Sequence, residues 1–117
     1  MDEGTAPPLK VDTEQLDAAV VLRAEGEVDS YTADLLRDKL STAFSAGLPV
    51  VLDLSAVAFF ASAGLSVLVE YHQLGEERDT PLRLVTPAGS VLRALRATTL
   101  NETLELYFSL PEALAGR

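Results

Sequence analysis

Between Ala56 and Leu65 the chain carries one hydroxyl, Ser62, and no ionisable group, so any chemistry in this stretch rests on that oxygen. Its neighbours are Phe60, Ala61, Ala63 and Gly64, which supply no base and do not form GxSxG, so the hydroxyl is not activated as a catalytic nucleophile. Two other roles suit a serine placed where a strand pattern hands over to a helix pattern. As a helix cap, its oxygen accepts a bond from an unpaired backbone N–H. As a phosphoryl acceptor, it would bring a charge of about −1.5 to −2 to a helix N-terminus, which suits the helix dipole but disrupts an apolar partner surface. The residues by themselves leave both roles open.

Little else in the chain converges on catalysis. His72 is the only histidine and falls on the apolar stripe of its helix, the place of a core-edge residue rather than a general base. No cysteine is present, which excludes disulfides, thiolate chemistry and sulfur-based zinc sites. A metal site would have to be mainly carboxylate, and the acids show no EF-hand spacing. GxGxxG and the P-loop are absent; the turn Thr86–Ser90 opens a helix after a strand and could bind an anion, though turn formation alone explains it equally well. The expectation is a protein without catalytic residues, metal or cofactor.

At 117 residues the chain is long enough for one domain with a real core, and residues 1–8 read as a mobile N-terminal arm ahead of a domain over 9–117. Eighteen acidic against nine basic residues give a net charge of −9, which argues against direct nucleic-acid binding. Thr80–Leu100 nevertheless holds Arg83, Arg93 and Arg96 and no acid, either a small basic face that orients a partner or ordinary surface arginines. The uncharged run Leu54–Val69 covers 16 residues, short of the roughly 20 that span a bilayer. The start, MDEGTAPPLK, has no signal-peptide pattern, and a cytoplasmic setting is expected.

The elements that must position Ser62 follow from hydropathy. Leu9, Val11 and Thr13 alternate with Lys10, Asp12 and Glu14 as an edge strand; Ala19–Ala24 forms a second, antiparallel strand that Gly26 ends. The polar loop Glu27–Thr32 leads to a helix of about 14 residues with Ala33, Leu36, Leu40, Ala43 and Phe44 on one face, capped by Asp29 or Ser30 and ended by Gly47. Val50, Val51, Leu52 and Leu54 make a strand buried on both faces, continued by Val57, Phe59 and Phe60. Leu65, Leu68, Val69 and His72 then mark the inner face of a helix, with Gly64 in its first turn. Leu82–Val85 is a further strand in parallel register, Pro87 introduces a short helix with Val91, Leu92 and Leu95 inward, and Leu104, Leu106 and Phe108 alternate as a last strand. Ser109 and Glu112 have capping-box spacing before a final short helix. The fold class is α/β: a mixed sheet of about five strands with four helices in βαβ units.

Two stretches in this framework resemble a known family, the anti-sigma factor antagonists, which are single STAS domains of bacterial partner-switching systems. GEVDSYTADLLRDKL at Gly26–Leu40 is similar to the family's loop and first helix, and VVLDLSAVAFFASAGLSVL at Val50–Leu68 to its central motif. The resemblance implies binding to an anti-sigma factor that is a GHKL-type serine kinase, release of a sigma factor, phosphorylation at Ser62 and reversal by a serine phosphatase. It implies a partner surface of Asp29, Ser30, Tyr31 and Thr32 with Ala61, Ser62, Ala63 and Gly64, on a monomer or weak dimer. The family carries Asp directly before the serine, whereas this chain has Ala61, and Ala63 stands where a second serine is common. That departure motivates an alternative: a STAS scaffold or ligand-binding component of a transport or stress-signalling assembly, without a phospho-switch.

Overall fold

Alternating apolar and charged residues over Leu9–Gln15 bury Leu9 and Val11 and leave Lys10 and Asp12 in water, giving an edge strand, β1. The computed structural model describes residues 8–116, and over them four more strands follow: β2 (Val20–Val28), β3 (Val50–Phe60), β4 (Leu82–Val85) and β5 (Glu105–Tyr107). They form one sheet in the order β1-β2-β3-β4-β5, antiparallel between β1 and β2 and parallel from there on. Helices α1 (Ala33–Phe44), α2 (Ser62–Arg78), α3 (Ser90–Ala97) and α4 (Leu110–Ala115) complete the mixed α/β architecture, with a 3-10 turn over Leu100–Glu102.

The apolar run of β3 is continuous because both of its faces are covered. On one face Leu22, Leu52 and Leu84 meet Leu36 and Leu40 of α1, Val67 and Leu68 of α2, and Leu95 of α3 in the main core. On the other, Val21, Val51 and Val85 lie under Ala113 of α4. Each fully buried leucine in the main core contributes roughly 1.5–3 kcal/mol of transfer free energy. Helices α1 and α2 are also tied side to side: the Phe44 and Tyr71 rings stand 5.4 Å apart, and Arg37 Nε donates to Glu70 Oε1 at 3.1 Å. That hydrogen bond, reinforced by the Glu70 charge, raises the Arg37 pKa above its ordinary value.

Several sequence expectations are corrected. Strand β2 does not stop at Gly26. This residue has φ +117°, a conformation open to glycine, and a Cβ there would collide with the Pro8 carbonyl oxygen. The pairing with β3 shifts register between Arg23 and Glu25 and between Gly26 and Glu27, and the strand continues to Val28. Of the arm expected over residues 1–8, residues 1–7 lie outside the described residues; the Pro8 carbonyl accepts from Glu27 N at 2.7 Å. Thr13 is exposed, since the outer half of the edge strand has nothing packed on it.

Helix α1 has 12 residues with Thr32 at its N-cap and no capping side chain. Asp29 instead closes the turn before it. Strand β5 is shorter than the alternation suggested: Leu104 is buried just ahead of it, while Phe108 is 69% exposed because the chain turns there into α4. The cap of α4 does form, with Ser109 Oγ accepting from Glu112 N at 3.3 Å, but Glu112 Oε1 reaches back to Phe108 N rather than to Ser109 N. In α3 Val91 and Leu95 are buried and Leu92 is half-buried. Arg83 is not part of a common basic face with the exposed Arg93 and Arg96: its Nε lies 3.3 Å from Glu105 Oε1 as an ion pair, and Nη1 donates to Ala113 O at 3.3 Å at the end of α4.

Candidate functional site

The segments that follow β2 and β3 meet at one end of the sheet. Because β2 and β3 are parallel, with Glu27 opposite Phe59 and Val28 opposite Phe60, both strands deliver their following segments to the same end. The join is a direct hydrogen bond from Ala61 N to Val28 O at 2.8 Å. The loop Asp29–Thr32 and the start of α2 are therefore neighbours, although some 30 residues separate them along the chain.

Within the loop, Asp29 Oδ1 accepts from Tyr31 N at 2.9 Å and Thr32 N at 3.1 Å. Thr32 is buried; its hydroxyl accepts from Asp29 N at 2.9 Å and donates to Glu27 O at 3.0 Å. These bonds hold the turn so that Ser30 is exposed and the Tyr31 ring stands out at 93% exposure. Asp29 and Thr32 thus shape the loop, and Ser30 and Tyr31 form its outer surface.

At the other motif, Ala61 is the N-cap of α2, with extended backbone, and Ser62 is the first helical residue. Gly64 N and Leu65 N both bond to Ala61 O. The capping role expected of Ser62 is therefore corrected: no side chain caps this helix, because the serine sits one residue too late for its oxygen to turn back onto the first-turn N–H groups. Its hydroxyl is exposed at the positive end of a 17-residue helix whose first turn carries no acid. Ala61 and Ala63 flank it half-buried, and Gly64 is buried against Val28 and Phe60.

The inner face of α2 is Gly64, Val67, Leu68, Tyr71 and Gly75, about one residue round from the Leu65, Leu68, Val69, His72 stripe expected from hydropathy. Both glycines are contact points with no hydrophobic signal: a Cβ at Gly75 would lie 2.7 Å from Thr80 O. Leu65, Val69 and His72 are consequently only half-buried. With Ser62, Ser66, Thr98 and Leu100, the first two line an open groove of about 400 Å³ between α2 and the segment after α3.

Phe59 is a further surface residue that sequence reasoning placed inside; it is 51% exposed. The adjacent pair Phe59-Phe60 contains the missing signal, since successive strand residues point to opposite sides and only one could enter the main core. For α2 the corresponding signal is an apolar arc wider than one buried face.

Chemically, the site offers an exposed hydroxyl with no base beside it, a helix start that no side chain caps and an uncharged groove. Among the described residues, no group of three or more His, Asp or Glu is placed to hold a metal ion, and no helix is long and apolar enough to cross a membrane.

The STAS domain family model matches residues 10–113, and the chain belongs to that family. Among solved structures it is similar to an anti-sigma factor antagonist from Mycobacterium paratuberculosis, with a TM-score of 0.84 and 33% identity over 96% of this chain and 97% of that one. Among characterised sequences it is 26% identical over 111 residues to the anti-sigma-F factor antagonist RsfA of Mycobacterium tuberculosis, covering 92% of this chain and 87% of the relative. It is also 32% identical over 83 residues to sulfate transporter 3.2 of Arabidopsis thaliana, covering 68% of this chain and 13% of the transporter.

Proposed function

We propose that the chain is an anti-sigma factor antagonist that binds a GHKL-type anti-sigma factor kinase through the edge formed by Ser30, Tyr31 and the start of α2, and that phosphorylation of Ser62 controls the binding. The observation that carries this reading is the Ala61 N to Val28 O bond, which sets an exposed Ser62 beside the Asp29–Thr32 loop on one surface. The similarity to two anti-sigma factor antagonists supports the same reading.

In the transfer step the Ser62 oxygen attacks the γ-phosphorus of ATP held by the kinase. An Oγ–P bond forms, the bond to ADP breaks, and the hydroxyl proton passes to a base on the kinase, since none stands beside Ser62. A phosphatase returns the serine by hydrolysis. The product dianion gains from the helix dipole but must be desolvated when an apolar partner surface covers it, so affinity falls without unfolding. A cytoplasmic setting goes with this reading, and the net charge of −9 leaves promoter contact to the sigma factor.

The test is incubation with the kinase and ATP followed by mass spectrometry. Phosphate on Ser62 is expected; phosphate elsewhere, or none, sinks the switch. A second reading, a STAS component of a transport assembly without a switch, is favoured by Ala61 in place of the family's Asp and by the likeness to the sulfate transporter. Stable co-purification with a membrane permease, and no binding to any anti-sigma factor kinase, would establish it instead.

A further inference from the structure

Thr86 directly follows β4 and is only 4% exposed, yet its hydroxyl has no hydrogen-bond partner among the described residues. A buried oxygen left unpaired costs free energy, which a ligand that meets it would recover. Thr86 lines a crevice of about 220 Å³ at the carboxyl ends of the parallel strands β4 and β5, where its own N–H donates to Tyr107 O at 2.9 Å. Ligands of parallel α/β sheets are held at this end of the strands. The crevice lies below the roughly 300–1,000 Å³ of drug-sized sites, so it suits a small molecule.

The lining changes from the mouth inward. Arg96 of α3 is exposed, Leu92, Asn101 and Leu106 are half-buried, and Thr86 is buried. A cation therefore stands towards water and a lone hydroxyl at depth, with apolar side chains between them. Arg96 is the one charged residue of the lining, and among the described residues it joins no ion pair. The acids of the neighbouring segments are placed elsewhere: Glu105 is held by Arg83 and Tyr107, Glu112 Oε1 accepts from Phe108 N, and Glu102 is exposed outside the lining. We propose that this crevice binds a small hydroxylated organic carboxylate. The carboxylate sits on the Arg96 guanidinium and the Asn101 amide, the apolar body lies against Leu92, Leu106 and the exposed Phe108, and the ligand hydroxyl meets Thr86. One guanidinium balances one negative charge, which favours a monoanion with an apolar body over a phosphate dianion.

Titration of the full chain with 4-hydroxybenzoate, followed by amide shifts in nuclear magnetic resonance, tests this. Saturable shifts are expected at Thr86, Leu92, Asn101 and Phe108. Benzoate, which lacks the hydroxyl, and 4-hydroxybenzamide, which lacks the charge, are each expected to bind more weakly. Arg96→Gln is expected to weaken 4-hydroxybenzoate binding about tenfold or more, whereas Arg93→Gln, an exposed arginine of the same helix outside the lining, is expected to leave it unchanged. Thr86→Val is expected to weaken 4-hydroxybenzoate about three- to tenfold, to leave benzoate unchanged, and to cost nothing in thermal unfolding because the hydroxyl has no partner to lose. Should Thr86→Val fail to fold, the preference of the wild-type chain for 4-hydroxybenzoate over benzoate still reads the buried hydroxyl. No saturable shift, equal binding of the three probes, or equal losses in Arg96→Gln and Arg93→Gln would overturn the site.

Discussion

Gly64 lies against the end of β2 so closely that a Cβ at this position would stand 2.6 Å from Val28 Cγ1, with the Phe60 ring 2.8 Å away. The first turn of α2 can therefore approach the sheet only because residue 64 has no side chain.

Gly64→Ala is expected to cost about 1–3 kcal/mol in urea denaturation through overpacking, despite the gain in helix propensity. Combined with Val28→Ala, which removes the nearest atom, the loss is expected to be smaller than the sum of the two single losses. Strict additivity in that double-mutant cycle would show that the close approach is not what constrains the helix.

Ser62 makes no capping bond, so Ser62→Ala is expected to change stability by no more than about 0.5 kcal/mol, where loss of a true cap would cost about 1 kcal/mol. Ser62→Asp places a carboxylate at the helix N-terminus and is expected to raise stability by about 0.3–1 kcal/mol. Kinase binding is expected to survive the first substitution and to weaken in the second. Opposite signs for stability and affinity in Ser62→Asp, measured by thermal unfolding and calorimetry, are the signature of a surface switch.

Asp29 accepts two backbone N–H bonds through one carboxylate oxygen, so Asp29→Ala is expected to destabilise the chain by about 0.5–2 kcal/mol and to loosen the turn that presents Tyr31. Asp29→Asn keeps an acceptor oxygen and is expected to recover most of that stability. Equal losses in both variants would show that the charge, and not the turn geometry, is what matters.

Tyr107 is expected to make stability fall at alkaline pH. Burial first, and then its hydrogen bond to Glu105 Oε1 at 2.5 Å, raise the phenol above its ordinary value of 10.0. Folding thus favours the neutral phenol, whose contribution is complete below the ordinary tyrosine value and is lost as pH rises through the raised one. Urea stability is expected to fall from about pH 10 upward. That slope is expected to be shallower in Tyr107→Phe, and an unchanged slope would move the limit to other groups.

Much of the fold is legible in the residues. The alternation of Leu9 and Val11, the doubly buried run of β3 and the 3.6-residue spacing of Leu36, Leu40, Ala43 and Phe44 each report a local period that packing preserves. Gly26 misled because a glycine in a strand can mark a bulge as well as an end, and the Pro8 carbonyl that decides between them comes from another strand's approach. Tyr107 and Arg83 carried no signal of their roles, which depend on Glu105 and α4 closing over the second sheet face.

For the site, the sequence by itself determined the chemistry: a solitary hydroxyl, Ser62, without a base beside it, at the opening of a helix, and a second polar loop at Asp29–Thr32. Only the tertiary structure decided that these belong to one surface, because the parallel pairing of β2 and β3 and the Ala61 to Val28 bond act across the sheet. It also decided the rotation of α2. Hydropathy counts side chains, whereas the helix is seated by the two places where side chains are missing, Gly64 and Gly75, and that seating turns Leu65 and Val69 outward beside Ser62.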